Sequence, residues 1–291
     1  MNSTIHKIRL VTTAGLLLNI LLTAAKCIGG VIFFSQALIA DGIHSLSDLV
    51  TDVAVLLGTK YWSSPPDPSH PYGYGRIETI ISTGIGFILG MLAFELIFDA
   101  VGSWINHIYE TPEMPAFFIA VFSVISKTML YIWTKRTAAT TCSSALNANA
   151  QHHKSDAISS IPAAIAIVVA HTFPELRFAD QIGSLVVSGF ILLSAWQIVK
   201  PAMYELSDGG NEEVRRIIVS AAEKYPQIRR IRTVRTRMIG SRTVGDMIIM
   251  LDPQTTVSEC QEIINTLRSD VLENYPQITE LAVYAEPYFE K

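Results

Sequence analysis

Four polar residues, Asp41, His44, Asp48 and Asp52, recur at steps of three, four and four inside an otherwise apolar stretch. A second set, Asn149, His152, Asp156 and Ser160, repeats those steps further along the chain. On a helix such steps return to nearly the same angle, so each set forms one polar stripe. Imidazole and carboxylate at i and i+4 are metal ligands that one helix face can present together. Two such helices brought side by side offer four donors: His44, Asp48, His152 and Asp156. Two imidazoles and two carboxylates suit tetrahedral Zn²⁺. Fe²⁺, Mn²⁺, Co²⁺ and Cd²⁺ also fit, whereas the lack of thiolates argues against Cu(I) and two imidazoles suit Mg²⁺ or Ca²⁺ poorly. Asp41, Asp52 and Asn149 extend the stripes as pathway or auxiliary groups.

The elements that carry these residues read as membrane helices. Of 291 residues, 49% are hydrophobic and only 16% charged, against about 25% charged in typical soluble domains. Six segments reach the roughly 20 residues that cross a bilayer: about 10–34, 37–61, 77–105, 115–134, 145–171 and 182–199. The second and fifth carry the stripes. Ionisable groups in such segments face the bundle interior or a wet cavity. Lys26 in the first span, Glu95 in the third and Lys127 in the fourth read as intramembrane charges with unassigned partners. The N-terminal apolar segment reads as a retained span, because no small-residue cleavage site follows it.

Basic residues concentrate before the first span (Lys7, Arg9), in the second loop (Lys60, Arg76), and after the fourth and sixth spans (Lys135, Arg136, Lys200). The alternate loops hold Glu110 and Glu113 or only Arg177. Both termini are therefore expected on the cytoplasmic side of the cell membrane. Residues 1–201 form the expected membrane domain. Residues 202–291 change in pattern to helix, strand, strand, helix, strand, which predicts a ferredoxin-like cytoplasmic α+β domain. The fold class is thus a polytopic α-helical membrane protein of six transmembrane helices with that C-terminal domain.

A net charge of -4 gives no footing for nucleic acid. Cys27, Cys142 and Cys260 form no CxxC pair and read as small buried residues. The run Arg229, Arg230, Arg232, Arg235 and Arg237 reads as a solvated strand face. His153 points away from the His152 face by about a third of a turn and is read as a non-ligand.

SQALIADGIHSLSD and ANAQHHKSDAISS, together with HPYGYGRIET in the second loop and the α+β tail, resemble the cation diffusion facilitator family of divalent-metal transporters. That resemblance covers nearly the whole chain. It implies a homodimer exporting metal in exchange for protons, with His44, Asp48, His152 and Asp156 as the transport site. It also implies an interlock between Arg76 and Asp208. Asp67 and His70 match a second-loop site of some relatives, but its third position is Tyr74, which weakens it. Positions that hold His in metal-sensing relatives hold Arg232, Ile248, Gln261 and Tyr284 here, so no regulatory zinc cluster is expected.

The function expected is proton-coupled, alternating-access efflux of a divalent cation, Zn²⁺ ahead of Fe²⁺ or Mn²⁺. The metal is cargo and no cofactor is expected. Alternatives are a membrane scaffold with a structural metal, or a metallohydrolase; the latter needs an open metal position that four ligands would close. No phosphate-binding Gly-rich loop supports an ATPase.

Overall fold

In this computed structural model the backbone is described for residues 2–289 except 142 and 241, and the side chains of 2–8, 55, 56, 144 and 145 are outside the description. The readings made on Cys142 and on the side chain of Lys7 lie outside the described residues. The chain divides into two compact units, residues 1–55 with 85–197, and residues 56–84 with 198–291.

The first unit is helical. Its elements are α1 (Asn2–Ile32), the start of α2 (Gln36–Trp62), most of α3 (Gly75–Ile105), α4 (Met114–Thr141), α5 (Ser144–Ser159), α6 (Ile161–Thr172) and most of α7 (Ala179–Leu206). Among the described residues, five helices are long and apolar enough to cross a membrane, counting α5 with α6 as one. At 27 residues, or about 40 Å, α2 has the length as well, and its polar stripe is what sets it apart in composition. Outward side chains of these helices are apolar, Leu17, Ile28, Phe87, Phe98, Met129 and Trp196 among them. That pattern is the reverse of a soluble bundle and suits contact with lipid.

Inside, the packing residues are small. Ala37, Leu38 and Ala40 of α2 meet Ala116 and Ala120 of α4 and Ala163, Ala166 and Ile167 of α6. Small residues let helix backbones approach, which is how helices associate where lipid removes the hydrophobic drive. α1 and α2 approach each other tightly at two glycines. A Cβ on Gly42 would sit 2.9 Å from the Cys27 amide nitrogen, and one on Gly30 would sit 2.8 Å from that of Ile39. This close crossing brings Lys26 against the polar stripe of α2. The start of α2 is fixed from α7, where buried Asp180 accepts from Ser35 Oγ at 2.8 Å and the Gln36 amide at 2.6 Å. The carboxylate satisfies amide groups that a helix N-terminus leaves open.

One departure from the expected spans is physical in origin. The fifth apolar segment is two helices, with Ser160 between them and Pro162 in the first turn of α6. Proline lacks an amide hydrogen and clashes with the preceding turn, so the axis is interrupted there. The hydroxyl of Ser160 turns inward at that point.

The second unit contains α8 (Glu212–Ala222), β1 (Arg230–Ile239), β2 (Arg242–Leu251), α9 (Val257–Asn274) and β3 (Ile278–Pro287). Asn211 caps α8 by accepting from the Glu213 and Val214 amides, and Thr256 with Glu259 forms a capping box on α9. β1 pairs antiparallel with β2, and β2 pairs parallel with β3, in the order β1-β2-β3. Met247, Ile249 and Leu251 alternate inward along β2 and join Ile218, Leu267, Val271 and Leu281 in one core. The expected helix-strand-strand-helix-strand order is what forms.

Candidate metal site

α2 and α5 do converge through their stripes. One ligand atom each of Asp48, His152 and Asp156 lies within 4.8 Å of the other two. Asp156 is buried, Asp48 half-buried and His152 exposed, so the group opens on the histidine side. Within α5, His152 Nδ1 is 3.7 Å from Asp156 Oδ1, the separation that i, i+4 spacing produces. Asp48 Oδ2 is buried without a hydrogen-bond partner. A carboxyl oxygen left without a partner in the protein interior is costly.

His44 is the sequence-expected ligand that stays outside this set. It is buried, and its Nδ1 also lacks a partner. The donors that do gather are therefore one imidazole and two carboxylates. Of the auxiliary residues, Asp52 is exposed and Asn149 half-buried on the same stripes. Asp41 is fully buried and engaged elsewhere: Lys26 Nζ lies 2.8 Å from Asp41 Oδ2, and Ser160 donates to Asp41 Oδ1 at 2.8 Å. His153 is buried on the other side of α5, where a Cβ on Gly15 of α1 would meet its Nε2 at 3.5 Å.

The partners of the intramembrane lysines are the functional groups that sequence reading left open. Lys26 holds Asp41 and donates to Ser45 and Ser160 at 3.1 and 3.0 Å. Lys127 lies 3.2 Å from Asp156 Oδ2. Two lysines opposite two acidic stripes were the available signal, but only helix packing pairs them. Glu95 is exposed on α3 and takes no part in either pair.

The second loop is built differently. Asp67 accepts from Ser69 Oγ at 2.6 Å, from the His70 amide at 2.7 Å and from the Tyr74 hydroxyl at 2.6 Å. The Ser69 hydroxyl first, then Tyr74 and the His70 amide, hold its carboxyl well below the usual carboxylate range. His70 Nδ1 lies 3.8 Å from it. The tyrosine that replaces a third ligand thus takes up an oxygen a metal would need. Nearby in the same unit, Arg76 donates to Asp208 at 2.6 Å, and buried Glu205 accepts from Thr79 and from the Gly240 amide. In the α+β domain Arg232 pairs with Glu286, and Cys260 is half-buried at the margin of the core. Cys27 is half-buried as well, so neither is the fully buried residue expected.

Long apolar helices around a converging set of carboxylates and a histidine, followed by a small α+β domain, define a multi-pass membrane protein with a candidate cation site. Residues 12–207 match the family model for the cation efflux transmembrane domain, and residues 211–288 that for the cation efflux protein cytoplasmic domain. The manganese efflux system protein MneS of Bacillus subtilis (strain 168) is 32% identical over 272 residues, covering 94% of this chain and 93% of that protein. Manganese efflux system protein MneP of the same organism is 28% identical, covering 97% of each. A solved MamM-CTD structure is 37% identical, covering 27% of this chain and 98% of that one, with a TM-score of 0.26. The chain belongs to the cation efflux family of metal transporters, the cation diffusion facilitators.

Proposed function

We propose that this protein exports a divalent first-row metal from the cytoplasm by proton-coupled alternating access, as a homodimer in the cytoplasmic membrane with both termini inside. The observation that carries the proposal is the meeting of Asp48, His152 and Asp156 from two helices around a partnerless carboxylate oxygen. The cytoplasmic-domain match, which names a dimer module, supports the assembly.

The donor set bears on the metal. Four donors with two imidazoles favour Zn²⁺, whereas the gathered trio has one imidazole and two carboxylates. Carboxylate and water suit Mn²⁺ better than they suit Zn²⁺. MneS and MneP are described as manganese exporters. We therefore place Mn²⁺ first. Zn²⁺ remains the second reading because His44, buried with a free Nδ1, would restore the two-imidazole set if it turned in.

Proton exchange is supported by the ligand chemistry, because an imidazole must be neutral to bind metal and so gives up any proton it holds. Purified protein in liposomes, with a metal-sensing dye on one side and an imposed pH gradient, tests this. Mn²⁺ flux should follow the gradient and reverse with it. Flux indifferent to the gradient refutes the coupling, and no flux of any divalent metal favours the scaffold alternative.

A further inference from the structure

The ligand stripes leave two buried ammonium groups unexplained. Lys127 is 1% exposed and comes from α4, which contributes no ligand. Its Nζ lies 3.2 Å from Asp156 Oδ2 and 3.4 Å from Ser45 Oγ. Ser45 also accepts from Lys26, which Asp41 holds. Two lysines thus stand among three aspartates: Lys26 Nζ lies 2.8 Å from Asp41 Oδ2, Lys127 reaches Asp156, and Asp48 Oδ2 is left without a partner.

From this geometry we infer that Lys127 is a tethered counter-ion of the transport site, occupying Asp156 in alternation with the metal. The inference rests on Asp48, His152 and Asp156 being that site. A dication and an ammonium sharing one carboxylate repel strongly where the dielectric is low. Metal coordination by Asp156 must therefore expel Lys127, and Ser45 Oγ is the acceptor already within reach. When the metal leaves, the ammonium returns. An emptied centre with two bare carboxylates is costly to keep inside a membrane, and the lysine removes part of that cost. Its presence weakens metal binding and so lets the cargo go.

The test uses full-length protein in lipid nanodiscs, with Mn²⁺ and Cd²⁺ binding isotherms at one pH for wild type, Lys127→Met and Asp156→Asn. Lys127→Met should bind metal at least tenfold more tightly and, in liposomes, release it more slowly. A folded Lys127→Met protein that binds equally or more weakly overturns the inference. Wild type that binds no metal, or Asp156→Asn that binds as wild type does, removes the underlying site and the inference with it. Should Lys127→Met fail to fold, a metal-loaded structure of the wild type decides the matter. Lys127 moved off Asp156 supports the exchange, and Lys127 still bonded to it overturns it.

Discussion

Among the described residues, an aspartate stands near a histidine both in the second loop and in the bundle, and the two differ in where the carboxylate finds its partners. Asp67 in the second loop is satisfied within eight residues of chain, by Ser69, His70 and Tyr74. In the bundle His152 of the same helix comes only to 3.7 Å of Asp156, which Lys127 reaches from α4, and one oxygen of Asp48 has no partner. The loop is exposed, so water would cover any shortfall at small cost. Inside the bundle no such solvent is at hand, and an unpartnered carboxyl oxygen is costly. The same residue types therefore make a local staple in one place and a candidate cation site in the other.

Replacing the bundle carboxylates tests that contrast with the largest expected effect. Asp48→Ala and Asp156→Ala should each lower metal flux in liposomes by at least a hundredfold. Their stabilities should part company. Asp156→Ala strands the Lys127 ammonium, and breaking a buried pair costs about 3–5 kcal/mol. Asp48→Ala breaks no pair and should melt close to wild type in detergent. Equal melting temperatures would dissolve the distinction drawn between the two aspartates.

Asp41→Ala comes next, since it strands Lys26 in the same way. It should destabilise the protein by about 3–5 kcal/mol, while Lys26→Met with Asp41→Leu should regain most of that. Thermal unfolding of the single and double variants measures this. If the single change is neutral, the Lys26–Asp41 pair is not what holds α1 to α2.

His44→Ala should reduce Mn²⁺ flux less than threefold and Zn²⁺ flux at least tenfold, as competition assays with both metals would read. Equal losses would mean that His44 joins the ligands for either metal. Asp67→Asn should change flux less than twofold. Its effect belongs to the loop and to acid conditions. Because the folded carboxyl titrates below its unfolded value of about 3.9, its contribution is present above that pH and lost as pH falls through the folded value. Proton-exchange protection of the Ser69 and His70 amides, followed between pH 5 and 2, should decline in wild type and stay flat in Asp67→Asn.

Much of this was legible in sequence because membrane and helix rules act locally. Spans follow from apolar length, and the helix-strand-strand-helix-strand tail follows from caps and alternation such as Met247, Ile249 and Leu251. The interruption of the fifth span was also written in Pro162, although length alone read it as continuous.

Sequence alone set which side chains share a face, since a helix returns every three or four residues whatever surrounds it. It could not set which faces meet. That Asp48 joins His152 and Asp156 while His44 stays apart depends on the angle and depth at which α2 and α5 pack. That Lys26 takes Asp41 and Lys127 takes Asp156 depends on Gly30 and Gly42 letting α1 close on α2 and on α4 lying against α5. Pairings between residues distant in the chain are fixed by packing, and packing is a property of the whole bundle.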